Sequence, residues 1–115
     1  MLKIVTYGVM GKRKPPPGIA HRFDCRSLRN PHSQRDLRDL DGRDVRVQAF
    51  VLGDPDAPEL LRKASTAAHA DPNGTIAFFC HGGFHRSVAM AEILATTLRV
   101  DGVSVQVEHL AIGPR

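Results

Sequence analysis

Residues 75–93 constrain the fold of this chain more than any other stretch, because they combine a strand, a glycine loop and a helix. The apolar run 75–80, TIAFFC, is too short for a helix and rich in Ile and Phe, which predicts a buried strand. Two adjacent glycines in 81–85, HGGFH, predict a loop. From Arg86 onward, apolar residues recur at helical spacing and predict a helix over 86–99. Such a unit directs backbone N–H groups toward the positive end of a helix dipole and so predicts an anion site.

The chain has 115 residues, which predicts a single domain over residues 1–115. Its net charge of +4 favours anionic partners such as phosphates or nucleic acid. No segment resembles a signal peptide or reaches the length of a membrane span, so we expect a cytoplasmic protein with no membrane partner. In that compartment Cys25 and Cys80 are expected to be free thiols.

The rest of the pattern predicts an α/β fold, with a small mixed, largely parallel sheet flanked by helices. Besides the central unit we expect strands at 2–7, 19–25 and 103–110, and helices at 45–52 and 57–70. The stretch 45–52 also fits an alternating strand, but Asp44 offers an N-cap and favours a short helix. Asp56 is the expected N-cap of the following helix, and the tail 111–115 is expected to be disordered.

Five residues separate Cys80 from Arg86, and Ser87 follows, which resembles the signature of the cysteine-dependent phosphatases. In that chemistry the cysteine attacks phosphorus, the arginine forks onto two phosphate oxygens, and the hydroxyl stabilises the thiolate. A general acid must also protonate the leaving oxygen, and Asp24 is the nearest candidate in this chain. The residues therefore allow a catalytic interpretation, with Cys80, Arg86, Ser87 and Asp24 as the catalytic set.

A second resemblance covers more of the chain. The stretch 80–92, CHGGFHRSVAMAE, resembles the C-terminal domain of the RapZ family, also known as the UPF0042 nucleotide-binding protein family, and FDCRSLRNPH at 23–32 resembles that family's second block. The matching positions, in chain order, are Asp24, Arg26, Asn30, Pro31, His32, Cys80, Gly82, Gly83, His85, Arg86, Ser87, Val88, Ala91 and Glu92.

The RapZ resemblance implies a non-catalytic domain that senses an aminosugar phosphate such as glucosamine 6-phosphate, binds a small regulatory RNA and forms homo-oligomers. Inorganic phosphate or sulfate would be simpler ligands of the same site. The resemblance carries the ligand-binding role to Asn30, His32, Cys80, Gly82, Gly83, His85, Arg86 and Ser87. The family's N-terminal P-loop domain has no counterpart in these residues, so a stand-alone C-terminal domain without ATP binding is expected. No cofactor and no metal are expected either.

The chemistry of the loop residues fits anion binding. Arg86 keeps its charge and can fork onto two phosphate oxygens, and Gly82 and Gly83 let the backbone approach an anion. His32 and His85 can donate hydrogen bonds to phosphate or sugar oxygens. Cys80 has two interpretations, a thiolate nucleophile or a small group that fills the base of the loop. The candidate RNA-binding residues are basic: Lys12, Arg13, Lys14, Arg26 and Arg29.

Overall fold

Four strands form one sheet in the computed structural model, which describes residues 1–113. They are β1 (Leu2–Gly8), β2 (His21–Asp24), β3 (Thr75–Cys80) and β4 (Val105–His109), in the spatial order β2-β3-β1-β4. All three pairings are parallel, so the predicted α/β class is confirmed with a sheet that is parallel throughout. The carboxyl ends of β2 and β3 therefore lie side by side, which is where parallel sheets bind ligands.

Three helices pack on one face of the sheet: α1 (Val45–Leu52), α2 (Ala57–Ala70) and α3 (Arg86–Val100). α3 contacts β1, β3 and β4, and its buried residues share one hydrophobic core with those of α1 and α2. A short 3-10 helix, Pro31–Ser33, follows β2. No helix within residues 1–113 is both long and apolar enough to span a bilayer.

The opposite face of the sheet carries a much smaller apolar cluster, centred on Val5, Tyr7 and Ala77. Val9 and Ile19, from the proline-rich connection after β1, pack against this cluster, and no described helix contributes to it. Residues 9–20 thus take the place of a second helical layer over part of the sheet.

Two element boundaries differ from the sequence-based expectation for local reasons. β2 is four residues long rather than the expected 19–25, because Gly18 has a φ of 81° and the chain still turns there. β4 begins at Val105 because the Val103 N–H donates to the Leu98 carbonyl, which keeps that residue in the turn that ends α3.

Of the two expected N-cap residues, one makes a side-chain capping bond and the other does not. Asp44 caps α1 as predicted, since its carboxylate accepts a hydrogen bond from the Arg46 N–H. Asp56 occupies the N-cap position of α2 but makes no side-chain capping bond. Its own N–H instead donates to the Asp54 carboxylate, which also accepts from the Arg29 N–H and so joins two turns.

The tail expected to be disordered is held in place as far as Gly113. The Gly113 carbonyl oxygen accepts a 2.8 Å hydrogen bond from Arg43 Nη1, and a side chain at Gly83 would meet the Ala111 methyl group. The expectation of disorder is therefore wrong for 111–113, and residues 114–115 lie outside the described part of the chain.

Candidate functional site

A cavity of about 200 Å³ opens where β3 turns into α3. The loop 81–85 forms one side and the segment after β2, which includes the 3-10 helix, forms the other. The residues that line the cavity are Asn30, His32, Cys80, His81, Gly82, Phe84, His85 and Arg86. Six of these belong to the predicted ligand set, so the structure brings together the two blocks that are far apart in the sequence.

The path of the loop depends on glycine at position 83. Gly83 has a φ of 80°, and a Cβ there would lie 2.6 Å from the Gly8 nitrogen. Only glycine meets both demands, because other residues rarely adopt this conformation and any side chain would collide with the end of β1. Gly83 does not itself line the cavity, and its role is to let the loop pass close to β1.

Arg86 is the most constrained charged residue of the site. Its side chain is buried, and Nη1 donates hydrogen bonds to the carbonyl oxygens of Arg26, at 2.6 Å, and Leu28, at 3.3 Å. A guanidinium has five N–H donors, so three remain on Nε and Nη2. Arg86 therefore ties α3 to the segment after β2 while its side chain also lines the cavity.

The two predicted histidines face each other across the cavity, with ring centroids 6.3 Å apart. His85 Nε2 lies 3.1 Å from the Arg38 carbonyl oxygen, which can only accept, so this nitrogen carries the proton. The His32 N–H donates to Asn30 Oδ1 at 3.1 Å, and this bond starts the 3-10 helix. Arg38 Nε in turn donates to the His32 carbonyl oxygen, so one arginine positions both histidines.

At the floor of the cavity, Cys80 Sγ lies 3.2 Å from Ser87 Oγ. Both residues are almost completely buried. Ser87 does not line the cavity, although it belongs to the predicted ligand set. Their contact reproduces one feature of the phosphatase signature, the hydroxyl beside the thiol.

Asp24 is not part of this cavity. Its carboxylate forms a bidentate ion pair with Arg26, with Nη2–Oδ2 and Nε–Oδ1 distances of 2.8 and 2.9 Å. Hydrogen bonding from Arg26, with a smaller contribution from the charge of His81, holds the Asp24 pKa below its usual value. Asp24 lines a different cavity, beside Ser27 and Glu59. An ionised carboxylate bound to Arg26 is a poor general acid, which disfavours the role that the sequence suggested for it.

The candidate RNA-binding residues fall into three local arrangements. Lys12 and Arg13 line a second cavity of about 380 Å³ that shares Gly82 and Phe84 with the first, and Lys14 Nζ donates to the Val9 carbonyl. The Arg26 guanidinium lies 5.4 Å from the centre of the Phe79 ring. Arg29 lies 5.5 Å from the centre of the Phe50 ring, on α1.

Three residues of the site were not among the predicted ligands. His81 and Phe84 line the cavity, and the Phe84 ring is 48% exposed between the first and second cavities. Their position inside the predicted glycine loop 81–85 could have indicated that they line the cavity. Arg38 lies in a charged stretch and gave no sign that its carbonyl would bind His85. Within residues 1–113, no group of three or more His, Cys, Asp or Glu side chains is arranged to hold a metal ion.

Comparison with known proteins identifies the family and several relatives of this chain. The family model described as "RapZ C-terminal domain" matches residues 1–113. A nucleotide-binding protein of Ruegeria pomeroyi is 39% identical, over 95% of this chain and 42% of its own length. A nucleotide-binding protein of Dinoroseobacter shibae is 38% identical, over 99% of this chain and 41% of its own. A third, from Frankia alni, is 42% identical, over 78% of this chain and 34% of its own.

The chain thus spans less than half the length of these curated relatives, and their shared name describes the longer proteins. The family model, by contrast, covers both blocks that form the cavity, the segment after β2 and the loop after β3. The chain therefore belongs to the RapZ C-terminal domain family.

Proposed function

We propose that this domain is a non-catalytic sensor that binds the phosphate group of a small molecule in the cavity between β3 and the 3-10 helix. The main support is the convergence of Arg86, two histidines and the glycine loop at the N-terminus of α3. Backbone N–H groups at a helix N-terminus attract anions, and an arginine beside them adds a positive charge that can bind two phosphate oxygens.

The size and chemistry of the cavity favour a sugar phosphate. Its volume of about 200 Å³ is below the range of roughly 300–1,000 Å³ that holds drug-sized ligands. Asn30 and His32 can form hydrogen bonds with hydroxyl groups as well as with a phosphate. His85, whose Nε2 N–H binds the Arg38 carbonyl, leaves Nδ1 to accept from a hydroxyl group. We therefore propose an aminosugar phosphate, with glucosamine 6-phosphate as the first ligand to test and inorganic phosphate or sulfate as weaker occupants.

Isothermal titration calorimetry with glucosamine 6-phosphate, inorganic phosphate and glucosamine tests this proposal. The wild-type protein should bind the two phosphorylated ligands and not the free sugar. His32→Ala should weaken binding without disturbing the fold, because the His32 side chain has no hydrogen bond or ion pair among the described residues. His69→Ala is the matched control, since His69 is exposed on α2. Equal affinity for wild type and His32→Ala would contradict the proposed site.

We also propose that the basic residues Lys12, Arg13, Lys14 and Arg29 contact RNA phosphates. Lys12 and Arg13 are exposed beside the second cavity, and no described residue pairs with either charge. Arg26 is a weaker candidate, because Asp24 already neutralises it. Phosphate contacts make affinity fall steeply with salt, so a filter-binding series in rising potassium chloride should show that slope, and Lys12→Ala/Arg13→Ala should flatten it.

The second candidate function is a cysteine-dependent phosphatase, favoured by the 3.2 Å contact between Cys80 Sγ and Ser87 Oγ. Against it, the candidate general acid Asp24 is paired with Arg26 and does not line this cavity. Assays with an aryl phosphate distinguish the two functions. The sensor function predicts no phosphate release by either wild type or Cys80→Ser, whereas an enzyme would release phosphate and lose that activity in the variant.

We further propose that the domain forms homo-oligomers in the cytoplasm. All-parallel sheets are almost always covered by helices on both faces, and this sheet has its described helices on one face only. Light scattering coupled to size exclusion should therefore give a mass above that of the monomer. A monomer mass at every concentration would contradict the proposal.

A further inference from the structure

We propose that Cys25 and Cys80 form a reversible disulfide when the protein meets a peroxide, which makes the floor of the cavity a two-cysteine oxidation site. This inference concerns the cysteines alone and holds whether or not the cavity binds a phosphorylated ligand.

The register of the sheet places the two cysteines opposite each other. Asp24 of β2 pairs with Phe79 of β3, and the Cys25 N–H donates to the Phe79 carbonyl oxygen at 2.8 Å. That bond continues the parallel ladder by one step, so Cys25 is the neighbour of Cys80. Adjacent strands lie about 4.8 Å apart. This spacing falls within the Cα separation of about 4.4–6.8 Å that a disulfide requires.

The two side chains also lie on the same face of the sheet. Cys25 and Cys80 both belong to the core under the helices, together with Ile76 and Phe78, whereas Ala77 belongs to the opposite cluster. Both thiols are free. Burial, followed by the proximity of Cys80, raises the pKa of the Cys25 thiol, in agreement with this placement.

Closing the bond requires the two side chains to turn toward each other, because Arg86 holds the backbone after β2 through two of its carbonyl oxygens. The Cys25 sulfur lies 3.8 Å from the Phe23 carbonyl oxygen and must leave that contact. Cys80 needs only to turn its sulfur from Ser87 toward the neighbouring strand. Neither change requires either strand to separate from the sheet.

Access from the cavity determines which cysteine reacts first with the peroxide. Cys80 lines the cavity and Cys25 has no exposed surface, so the peroxide meets Cys80 first. The Cys80 thiolate attacks one peroxide oxygen; an S–O bond forms, the O–O bond breaks, and the departing oxygen leaves as water after taking a proton. The Cys25 thiolate then attacks Cys80 Sγ; the S–S bond forms, the S–O bond breaks and a second water leaves. The two thiols lose two electrons and two protons, and hydrogen peroxide gains them.

Because burial raises the Cys25 pKa, the second step should be slow at neutral pH and faster at alkaline pH. Disulfide formation after a fixed exposure to hydrogen peroxide is therefore expected to increase between pH 7 and pH 9. This dependence is a further expectation of the scheme and is measured in the same assay.

The test treats the reduced protein with hydrogen peroxide, unfolds it in denaturant so that the buried thiols become accessible, blocks remaining thiols with an alkylating reagent and measures the intact mass. We expect a monomer that has lost the mass of two hydrogen atoms, takes up no alkyl group and regains both thiols with dithiothreitol. Peptide mapping should join the segment around Cys25 to the segment around Cys80. Cys25→Ala should stop at an oxidised Cys80, and Cys80→Ser should leave Cys25 reduced. A disulfide between two chains, or wild type that stops at the same oxidised Cys80 as Cys25→Ala, would overturn the proposal.

Thermal unfolding gives an independent readout. A disulfide between positions 25 and 80 closes a long loop and restricts the unfolded chain. The oxidised wild type should therefore unfold at a temperature several degrees higher than the reduced protein, and Cys25→Ala should show no such increase. Unchanged unfolding of a wild type that mass spectrometry shows to be fully cross-linked would contradict the predicted geometry.

Discussion

Arg86 Nη1 donates a 2.6 Å hydrogen bond to the carbonyl oxygen of Arg26, although 60 residues separate them in the chain. This bond joins the start of α3 to the segment that follows β2. It therefore holds together the two walls of the cavity, one with the glycine loop and the other with Asn30 and His32. The arginine expected to bind a ligand also builds the site in which the ligand would lie.

Arg86→Ala is expected to lower the free energy of unfolding by about 2 kcal/mol, because hydrogen bonds to a charged group contribute roughly 1.5–3 kcal/mol each. Urea denaturation measures this loss. Arg62→Ala is the control, because Arg62 is exposed on α2 and, within residues 1–113, its guanidinium pairs only with Glu59, so its removal should change little. Loss of ligand binding in Arg86→Ala is therefore not evidence of a direct ligand contact unless the variant is shown to be folded. An unfolding curve unchanged from wild type would contradict the structural role of Arg86.

Two glycines allow the effect of close packing to be separated from that of backbone conformation. Gly83 and Gly102 have φ values of 80° and 83°, but a Cβ at Gly83 would lie 2.6 Å from the Gly8 nitrogen, whereas one at Gly102 would meet nothing within 4 Å. Gly102→Ala should cost about 1 kcal/mol, the penalty of the left-handed conformation alone. Gly83→Ala should cost clearly more and abolish anion binding, as measured by urea denaturation and calorimetry. Equal costs would show that the approach of the loop to β1 does not matter.

The ion pair between Asp24 and Arg26 predicts a dependence of stability on acid. Because the Asp24 pKa is lowered from 3.8 in the folded protein, its contribution is present above that value and is lost as the pH falls through the folded pKa. Asp24→Asn should therefore be slightly less stable than wild type at pH 6, and the two proteins should converge in strong acid. Chemical denaturation at a series of pH values measures the difference. A difference that grows below pH 3.8 would reverse the expected sign.

A catalytic role for Asp24 makes a different prediction. A general acid must carry a proton, and the bidentate pair with Arg26 keeps this carboxylate ionised. We therefore expect neither wild type nor Asp24→Asn to hydrolyse an aryl phosphate between pH 5 and pH 8. Hydrolysis by wild type that is lost in Asp24→Asn would restore the phosphatase interpretation.

The sequence predicted the unit of β3, glycine loop and α3 correctly, because apolar run length, adjacent glycines and helical spacing all agree there. It also placed α2, and the Asp44 cap decided correctly between helix and strand for α1. The sequence pattern of residues 80–87 predicted one side of the site, because the residues on that side are contiguous in the chain. The segment 30–32 was added only by resemblance to the RapZ family, because no local signal shows which distant strand end will lie beside β3.

Contacts made by backbone atoms could not be predicted. The bonds of Arg86 to the Arg26 and Leu28 carbonyls and of His85 to the Arg38 carbonyl depend on how the chain returns to the cavity. The same limit applies to Asp24, whose carboxylate binds Arg26 two residues later and does not line the cavity. The hydrogen bond that holds Gly113 likewise comes from Arg43, which is distant in sequence.

Binding of an anion at the start of α3 is the central claim, and an amide NMR titration with inorganic phosphate tests it most directly. The backbone N–H signals of residues 82–87 should shift in a saturable manner, those of His69 and its neighbours should not, and His32→Ala should require more phosphate for the same shift. Absence of shifts in 82–87, or shifts confined to Lys12–Lys14 at the basic loop, would contradict the account.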